Sequence, residues 1–180
     1  VADFLAERGL TLSEEKTKIT HITDGFDFLG FNVRKFGDTL LTQPSKDRTK
    51  RMLSKVKDEI KRFRGDAQHE LIMRLNPILN GWANYYKHSA ASNVFRKTDY
   101  QIYKKLWRWA LRRHGNKCKG WVKNRYFHRI DGRDWVFAVK RKNEKHEEYF
   151  IPITILFNTK IERYPQLKCD VNPFDPEWKP

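Results

Sequence analysis

The sequence of 180 residues is poor in cysteine, in long apolar runs and in acidic residues. Its two cysteines, Cys118 and Cys169, belong to no CxxC pair, which excludes a disulfide framework and a zinc ribbon. No run of about eighteen apolar residues occurs, and the amino terminus lacks the pattern of a secretory signal. We therefore expect an intracellular protein with no membrane partner.

Motifs for catalysis and metal binding are also scarce, since the sequence contains no P-loop and no nucleophile triad. Zinc at His114, Cys118 and His128 would lack a fourth ligand and would lie among lysines and arginines. A turn explains Asp131 and Asp134 better than an acid and base pair does, although a metal-dependent nuclease using both with His128 is the enzymatic alternative. We expect no metal site and no catalytic residue in this chain.

Positive charge is what the sequence has in excess, with 37 Lys and Arg against 22 Asp and Glu, a net charge of +15. The stretch from Arg96 to Arg129 holds twelve Lys and Arg against Asp99 alone. A surplus of this kind is typical of proteins that bind a polyanion. Nucleic acid is the expected partner, and a generic basic DNA-binding or chromatin-like domain is one kind of protein that this charge would suit.

The first long helix is predicted from Ser45, a plausible N-cap, to near Gly65, a plausible stop. Residues 46–64 carry nine cations against three acids, so the face away from the core is basic. The apolar residues that repeat at helical spacing are Met52, Val56, Ile60 and Phe63.

A second helix is predicted from about Gln68 to Ala90, with a kink or break at Pro77. A third is predicted from Ser92 or Asn93 to His114, and a shorter helix is predicted to continue through WVKNRYF. On the third helix, Lys97, Lys104, Arg108 and Arg112 share a face opposite the apolar stripe of Phe95, Ile102, Leu106 and Trp109.

Aromatic residues crowd the end of the second helix. Trp82 and Tyr86 continue its apolar stripe, which predicts that they belong to the core rather than to a stacking platform. Asn84 and Tyr85 leave that stripe and are the residues expected to face a ligand.

Strand signals lie on both sides of the helices. Residues 28–35 and 39–43 predict a hairpin about Gly37 and Asp38, and residues 135–139 and 148–152 predict a second strand pair. Gly30 indicates either a bulge or a close approach of the backbone to a ligand. The predicted class is mainly α with small β elements (α+β): an N-terminal β-hairpin, a bundle of three to four helices, a C-terminal β-hairpin, and an extended tail after Asn158.

Several separated segments resemble one family. GLTLSEEKTKI followed by GFDFLGF is similar to the last palm blocks of group II intron reverse transcriptases. The segments similar to their maturase-specific domain, also called domain X or the thumb, are LNPILNGWANYYKH, LWRWALRRHGNK and WVKNRYF.

The resemblance implies three parts: residues 1–45 as the end of the palm, 46–130 as domain X, and 131–180 as the start of a DNA-binding region. NPFDPEW then resembles the stretch that leads into an HNH endonuclease. The palm aspartates and their Mg²⁺ are expected before Val1, in the same or a separate chain, so this chain alone should not polymerise DNA. The primer-grip-like residues would be Phe28, Leu29, Gly30 and Phe31.

The family binds the structured intron RNA, assists its splicing, and copies it into DNA while the thumb holds template and primer. The implied partners are therefore group II intron RNA and a template–primer, and the implied location is the bacterial cytoplasm, near the nucleoid, or an organelle. The residues expected to bind RNA are Lys50, Lys57, Lys61, Arg64, Lys97, Lys104, Lys105, Arg108, Arg112, Arg113, Lys117, Lys119, Lys123 and Arg125.

Overall fold

The computed structural model describes residues 2–13 and 17–162, so most of the predicted tail, including NPFDPEW, lies outside the described residues. The class, mainly α with small β elements, is confirmed. The helices are α1 (Ala2–Ala6), α2 (Lys46–Arg62), α3 (Gln68–Tyr86), α4 (Ser92–Arg113) and α5 (Lys119–Tyr126). The strands are β1 (Phe26–Phe28), β2 (Phe31–Phe36), β3 (Thr39–Pro44), β4 (Phe127–Ile130), β5 (Arg133–Lys142) and β6 (Glu148–Pro152).

Helix α2 begins where the sequence predicts. The Ser45 hydroxyl accepts a hydrogen bond from the Arg48 backbone N–H at 3.3 Å and so satisfies one of the free donors of the first turn. The helix ends at Arg62, and Gly65 lies in the loop beyond it. Met52, Val56 and Ile60 are all buried in the core, as their spacing predicts.

Helix α3 runs without a break through Pro77, so the predicted break is wrong, while the alternative of a kink stays a prediction. Pro77 is exposed, and the buried side chains of Leu75 and Leu79 anchor the helix on either side of it. The helix ends at Tyr86, short of the predicted Ala90. Both the N–H and the hydroxyl of Ser89 donate to the Tyr86 carbonyl, at 3.0 and 2.8 Å, which closes the last turn.

Helix α4 buries its predicted stripe completely, together with Thr98 and Ala110. It packs between α2 and α5. Trp109 lies at the centre of these contacts, and its indole N–H donates to the Phe63 carbonyl at 3.1 Å. The long basic helix is thus fixed on its apolar side, which leaves the opposite face to solvent.

The first sheet has the antiparallel order β1-β2-β3. The hairpin about Gly37 and Asp38 is confirmed, with Phe36 opposite Thr39. The single strand predicted over residues 28–35 is wrong, because the chain reverses at Leu29 and Gly30, with φ of 48° and 88°. Two adjacent residues in the left-handed region form the tight turn that joins paired strands.

The second sheet has the order β4-β5-β6, so the predicted strand pair is preceded by one further strand. Val136, Phe137 and Ala138 of β5 are buried, and Phe137 packs in the same core as the helices. Polar side chains attach the sheet to α3 and α4 as well. The Gln68 amide donates to the Tyr126 and Ala138 carbonyls at 3.2 and 2.9 Å.

Asn76 and Asp99 extend this attachment. The Asn76 amide nitrogen donates to the Pro152 carbonyl at 3.1 Å, and its oxygen accepts from the Thr154 N–H at 2.8 Å. The Asp99 carboxylate accepts from the N–H groups of Leu156 and Phe157, both at 2.9 Å. The second sheet and the helices therefore share one core.

Candidate nucleic-acid interface

A groove of about 900 Å³ lies between α2 and α4, and we call it the α2–α4 groove. Ile60 and Trp109, from the buried stripes of the two helices, form its apolar floor. Within the described ranges, 2–13 and 17–162, no carboxylate lines it. The cations that line it are Lys57, Lys61, Arg64, Lys105, Arg108, Arg112 and Arg113.

Helical geometry explains the composition of this groove. Lys57 and Lys61 are one turn apart on α2, and Arg108 and Arg112 are one turn apart on α4. Because α2 and α4 pack together through their apolar stripes, the cationic edges of both helices border the same space. The structure thus brings together seven of the fourteen cations predicted to bind RNA.

The positive charge that collects in the groove affects the pKa of Lys105. Partial burial lowers the pKa of its ammonium group, and the positive charges of Lys57, Arg108 and Lys104 lower it further. Desolvation and like charges both disfavour the charged form of a lysine. An anion bound in the groove would raise the pKa of Lys105 again.

No nearby carboxylate of the described residues neutralises the cations that are predicted to bind RNA. Among the described residues, none of the fourteen predicted cations forms an ion pair within 4.0 Å. Two of the three acids of α2 are paired with cations outside the groove, since Arg51 lies 2.8 Å from Asp47 and Arg62 lies 3.3 Å from Glu59. The groove cations of α2 therefore keep their charge without an ion pair among the described residues.

The remaining predicted cations lie outside the groove. Lys50 and Lys97 line a separate depression beside the first sheet, together with Asp24 and Asp27. Others are paired with aromatic rings: Lys104 over Tyr100 at 4.7 Å, Lys117 over Trp121 at 5.6 Å, and Lys123 over Trp135 at 4.8 Å. Lys119 and Arg125 are exposed on α5.

Arg113 has a structural task within the groove. Its guanidinium donates to the carbonyls of Arg64, Gly65 and Asp66, and it lies 4.8 Å from the centre of the Trp109 ring. It thereby fastens the loop after α2 to the end of α4. Sequence spacing places this arginine with the other cations and gives no sign of its backbone contacts.

The primer-grip-like residues form the turn between β1 and β2, which docks onto the end of α3. The Tyr85 hydroxyl donates to the Leu29 carbonyl at 2.9 Å, and the Tyr86 hydroxyl donates to the Gly30 carbonyl at 3.1 Å. Phe31 stacks on Tyr85 with ring centres 5.3 Å apart and meets Tyr86 edge-on at 5.0 Å. The aromatic cluster of α3 therefore holds another part of the same chain.

This docking shows which residues of the aromatic cluster belong to the core and which contact the turn. Tyr86 is buried, as predicted, and burial raises the pKa of its hydroxyl. Trp82 is half-buried, whereas Tyr85 is 53% exposed and uses its hydroxyl on the turn. Sequence reasoning missed this partnership, although both members carry a signal: a glycine among aromatic residues, and a tyrosine, Tyr85, just off an apolar stripe.

Phe28 and Leu29 are 62% and 70% exposed at the tip of the turn, while Gly30 is pressed against the helices. A Cβ at Gly30 would lie 3.1 Å from Arg48 Cγ and from the Tyr86 hydroxyl. Gly30 is thus a turn residue rather than the predicted bulge, and atoms of the same chain approach it closely.

The candidate metal and nuclease residues have other contacts. The described residues contain no group of three or more His, Cys, Asp or Glu side chains able to hold a metal ion. His114 hydrogen-bonds the Tyr126 hydroxyl at 2.7 Å, and His128 packs on Phe150. Burial lowers the pKa of His128, with further lowering by Lys140 and Arg125.

Asp131 and Gly132, with φ of 50° and 75°, form the turn between β4 and β5, as the DGRD pattern predicts. Asp134 lies 3.8 Å from Arg129. In the part of the chain that the structure describes, no helix is both long and apolar enough to cross a membrane.

The fold and groove define a class: a basic helical domain, flanked by small sheets, whose cations collect between two helices. Residues 49–127 match the family model of the group II intron, maturase-specific domain. The match extends from the first turns of α2 to the start of β4, and it confirms the resemblance of this part to the maturase-specific domain. A comparison with curated proteins finds no match.

The match supports a role related to group II intron maturases. A match to this family model indicates group II intron RNA, in general, as the kind of partner. The α2–α4 groove lies within the matched residues, so the uncompensated charge belongs to the part of the chain that carries the family likeness.

Proposed function

We propose that this chain is the RNA-binding maturase and thumb portion of a group II intron reverse transcriptase. It binds the intron RNA through the α2–α4 groove, assists splicing, and helps to hold template and primer. The observation that carries the proposal is a groove within a maturase-specific domain that seven cations line and, among the described residues, no carboxylate.

Phosphate is the partner that such a groove favours. Like charges one helical turn apart repel each other by a few tenths of a kcal/mol per pair. RNA phosphates remove that repulsion and release counterions, which makes the affinity depend steeply on salt. With on the order of six phosphate contacts, we expect affinity to fall about a thousandfold between low and moderate salt.

The β1–β2 turn would contribute to the template–primer contact. Its backbone is held by Tyr85 and Tyr86, and the Gly30 carbonyl also accepts from the Ser45 N–H at 2.9 Å. This support makes the exposed tip at Phe28 and Leu29 a fixed feature beside the helical domain. A fixed apolar tip suits the positioning of a sugar and base.

We also propose that the chain is divided into a palm end (1–45), domain X (46–130) and the start of a DNA-binding region (131–180). Polymerase chemistry, with its aspartates and Mg²⁺, would come from fingers and palm sequence, in the same or a separate chain. The first sheet would then be the element that connects the palm to the helical domain.

Filter binding of intron RNA, tRNA and duplex DNA at two salt concentrations tests the proposal. The double variant Lys57→Glu and Lys61→Glu should bind intron RNA at least about tenfold more weakly and with a shallower salt slope, because two phosphate contacts are lost. The single variants Lys57→Glu and Lys55→Glu are the matched pair, since the exposed Lys55 lines a different depression, on the α3 side of α2.

Three outcomes separate the possibilities. Preference for intron RNA over tRNA and DNA supports the maturase role. Equal, salt-dependent binding to all three nucleic acids would show a generic basic module instead. Binding that is indifferent to salt, or an equal loss in Lys57→Glu and Lys55→Glu, would contradict the groove as the binding site.

A further inference from the structure

A second cavity, of about 400 Å³, opens between α4 and β5 on the other side of α4, and we call it the α4–β5 cavity. Its floor is apolar and buried, formed by Ile102, Leu106 and Phe137. Its volume lies within the range of small-molecule sites. Neither the α2–α4 groove nor the primer-grip-like turn shares a residue with it.

Aromatic rings form the walls and the mouth of this cavity. Tyr103, Phe127 and Trp135 meet one another at nearly perpendicular or tilted angles, with ring centres 5.7 to 6.2 Å apart. Tyr100, which is 58% exposed, lines the mouth, and Trp135 is 41% exposed. Large rings that stay open to solvent beside an apolar floor are suited to stacking on a planar ligand.

A bulge in the pairing of β4 with β5 places Trp135 at the wall of the cavity. His128 pairs with Val136 and Ile130 pairs with Arg133, so two residues of β5 oppose the single Arg129. Trp135 is the second of the two and has φ of 62°, a conformation that is rare for a bulky side chain. Bulges of this kind redirect a side chain and concentrate near functional sites.

The charges around the mouth suit a nucleotide. Lys104 lies over Tyr100 and Lys123 lies over Trp135, so each exposed ring has an ammonium group beside it. Arg133 adds a third cation to the lining. Both oxygens of Asp99 already accept backbone N–H groups, and Asp134 lies 3.8 Å from Arg129, so neither acid is an isolated charge at the mouth.

We propose that the α4–β5 cavity receives a single unpaired nucleobase of the bound RNA, stacked against Trp135 and Tyr103, while Lys104, Lys123 and Arg133 contact the flanking phosphates. The inference rests on the proposed function, since it specifies which kind of RNA the basic surface holds. Proteins recognise folded RNA largely through bases extruded from loops and bulges and stacked on aromatic side chains.

Two hairpin RNAs with the same duplex test this pocket by fluorescence anisotropy with the full chain. One carries a single bulged uridine, and the other carries an abasic residue at the same position. We expect the wild type to bind the uridine bulge about tenfold more tightly, the scale of one base–aromatic stack. Equal affinity for the two RNAs would overturn the pocket.

Trp135→Gly removes the ring and relieves the left-handed backbone, so it should abolish the preference for uridine and leave binding to the abasic RNA unchanged. Trp135→Phe should keep most of the preference. Tyr149→Ala, an exposed aromatic of β6 that does not line the cavity, is the matched control and should keep all of it. A preference that survives Trp135→Gly would contradict the assignment.

Ultraviolet crosslinking of the wild-type complex provides a readout that needs no variant to fold. Uridine adducts should appear on the tryptic peptides 134–140 or 98–104, which contain the cavity tryptophan and tyrosines. Adducts confined to other peptides would overturn the pocket. Wild-type protein that binds neither RNA in a salt-dependent way would instead contradict the proposed function itself.

Discussion

The two three-stranded sheets of the described residues, β1–β3 and β4–β6, are both antiparallel meanders, and each makes its first reversal with a pair of left-handed residues. Their relation to the core differs. The second sheet buries Val136, Phe137 and Ala138, and Phe137 belongs to the core that the helices form, whereas β1 is exposed throughout and only Pro44, at the end of β3, is buried in the first sheet.

The contrast shows that the same topology is held by two kinds of interaction. Burial of apolar side chains makes the second sheet part of one cooperative unit with α3 and α4. The first sheet depends on a few directional contacts, chiefly those of its turn with Tyr85 and Tyr86. Such contacts position a sheet firmly but contribute much less to global stability.

Removing one large side chain from each sheet should produce the largest difference in stability between the two. Phe137→Ala should lower the free energy of unfolding by about 3–5 kcal/mol, because Phe137 is 2% exposed and its loss leaves a cavity. Phe28→Ala, at a residue 62% exposed, should change it by less than about 0.5 kcal/mol. Urea unfolding followed by circular dichroism measures both, and equal losses would contradict the distinction.

A smaller effect is expected at the turn of the first sheet. Gly30→Ala would incur the backbone cost of a left-handed alanine, about 1–2 kcal/mol, and also a contact of 3.1 Å with Arg48 and Tyr86. Gly37→Ala is the matched control, since Gly37 also has positive φ but a Cβ there would meet no atom within 4 Å. Hydrogen exchange of the β2 and β3 amides should report roughly 1 kcal/mol more loss of protection for Gly30→Ala.

The smallest effect concerns pH and the contact between α4 and the segment after β6. Burial raises the pKa of Asp99, although the N–H groups of Phe157 and Leu156 and the charge of Arg133 act in the opposite direction. A carboxyl with a raised folded pKa binds its proton more tightly in the folded state, so protonation stabilises the fold.

The unfolding free energy of the wild type relative to Asp99→Asn, which does not titrate, should therefore rise as pH falls from neutral through the raised pKa toward the ordinary value of 3.8. Chemical unfolding of both proteins across this range measures the difference. A relative loss of wild-type stability on acidification would show that the hydrogen bonds of Asp99 outweigh its burial.

Much of the helical part could be predicted from the sequence. The stripes of α2 and α4 repeat at helical spacing, and Ser45 marks the start of α2, so local periodicity and capping were sufficient. The strand predicted through Leu29 and Gly30 failed because the apolar pattern continues across a turn that only the backbone angles define. β4 was missed because Phe127 follows α5 directly, without a turn signal.

The candidate interface was predictable only within single helices. Spacing places Arg108 and Arg112 on one face of α4, but it cannot tell that Lys57 and Lys61 face them across a groove, since that depends on how the helices pack. The bulge that aims Trp135 and the turn contacts of Tyr85 are likewise products of pairing between distant segments.

The position of Arg113 changes how an alanine scan of the groove should be interpreted. Its guanidinium is committed to three backbone carbonyls, so its removal would release the loop that carries Arg64 as well as delete one charge. Replacing Arg113 would thus look like the loss of a dominant phosphate ligand while acting mainly by collapse of the groove wall. Ranked by lost affinity alone, Arg113 would stand among the first for a reason other than contact with phosphate.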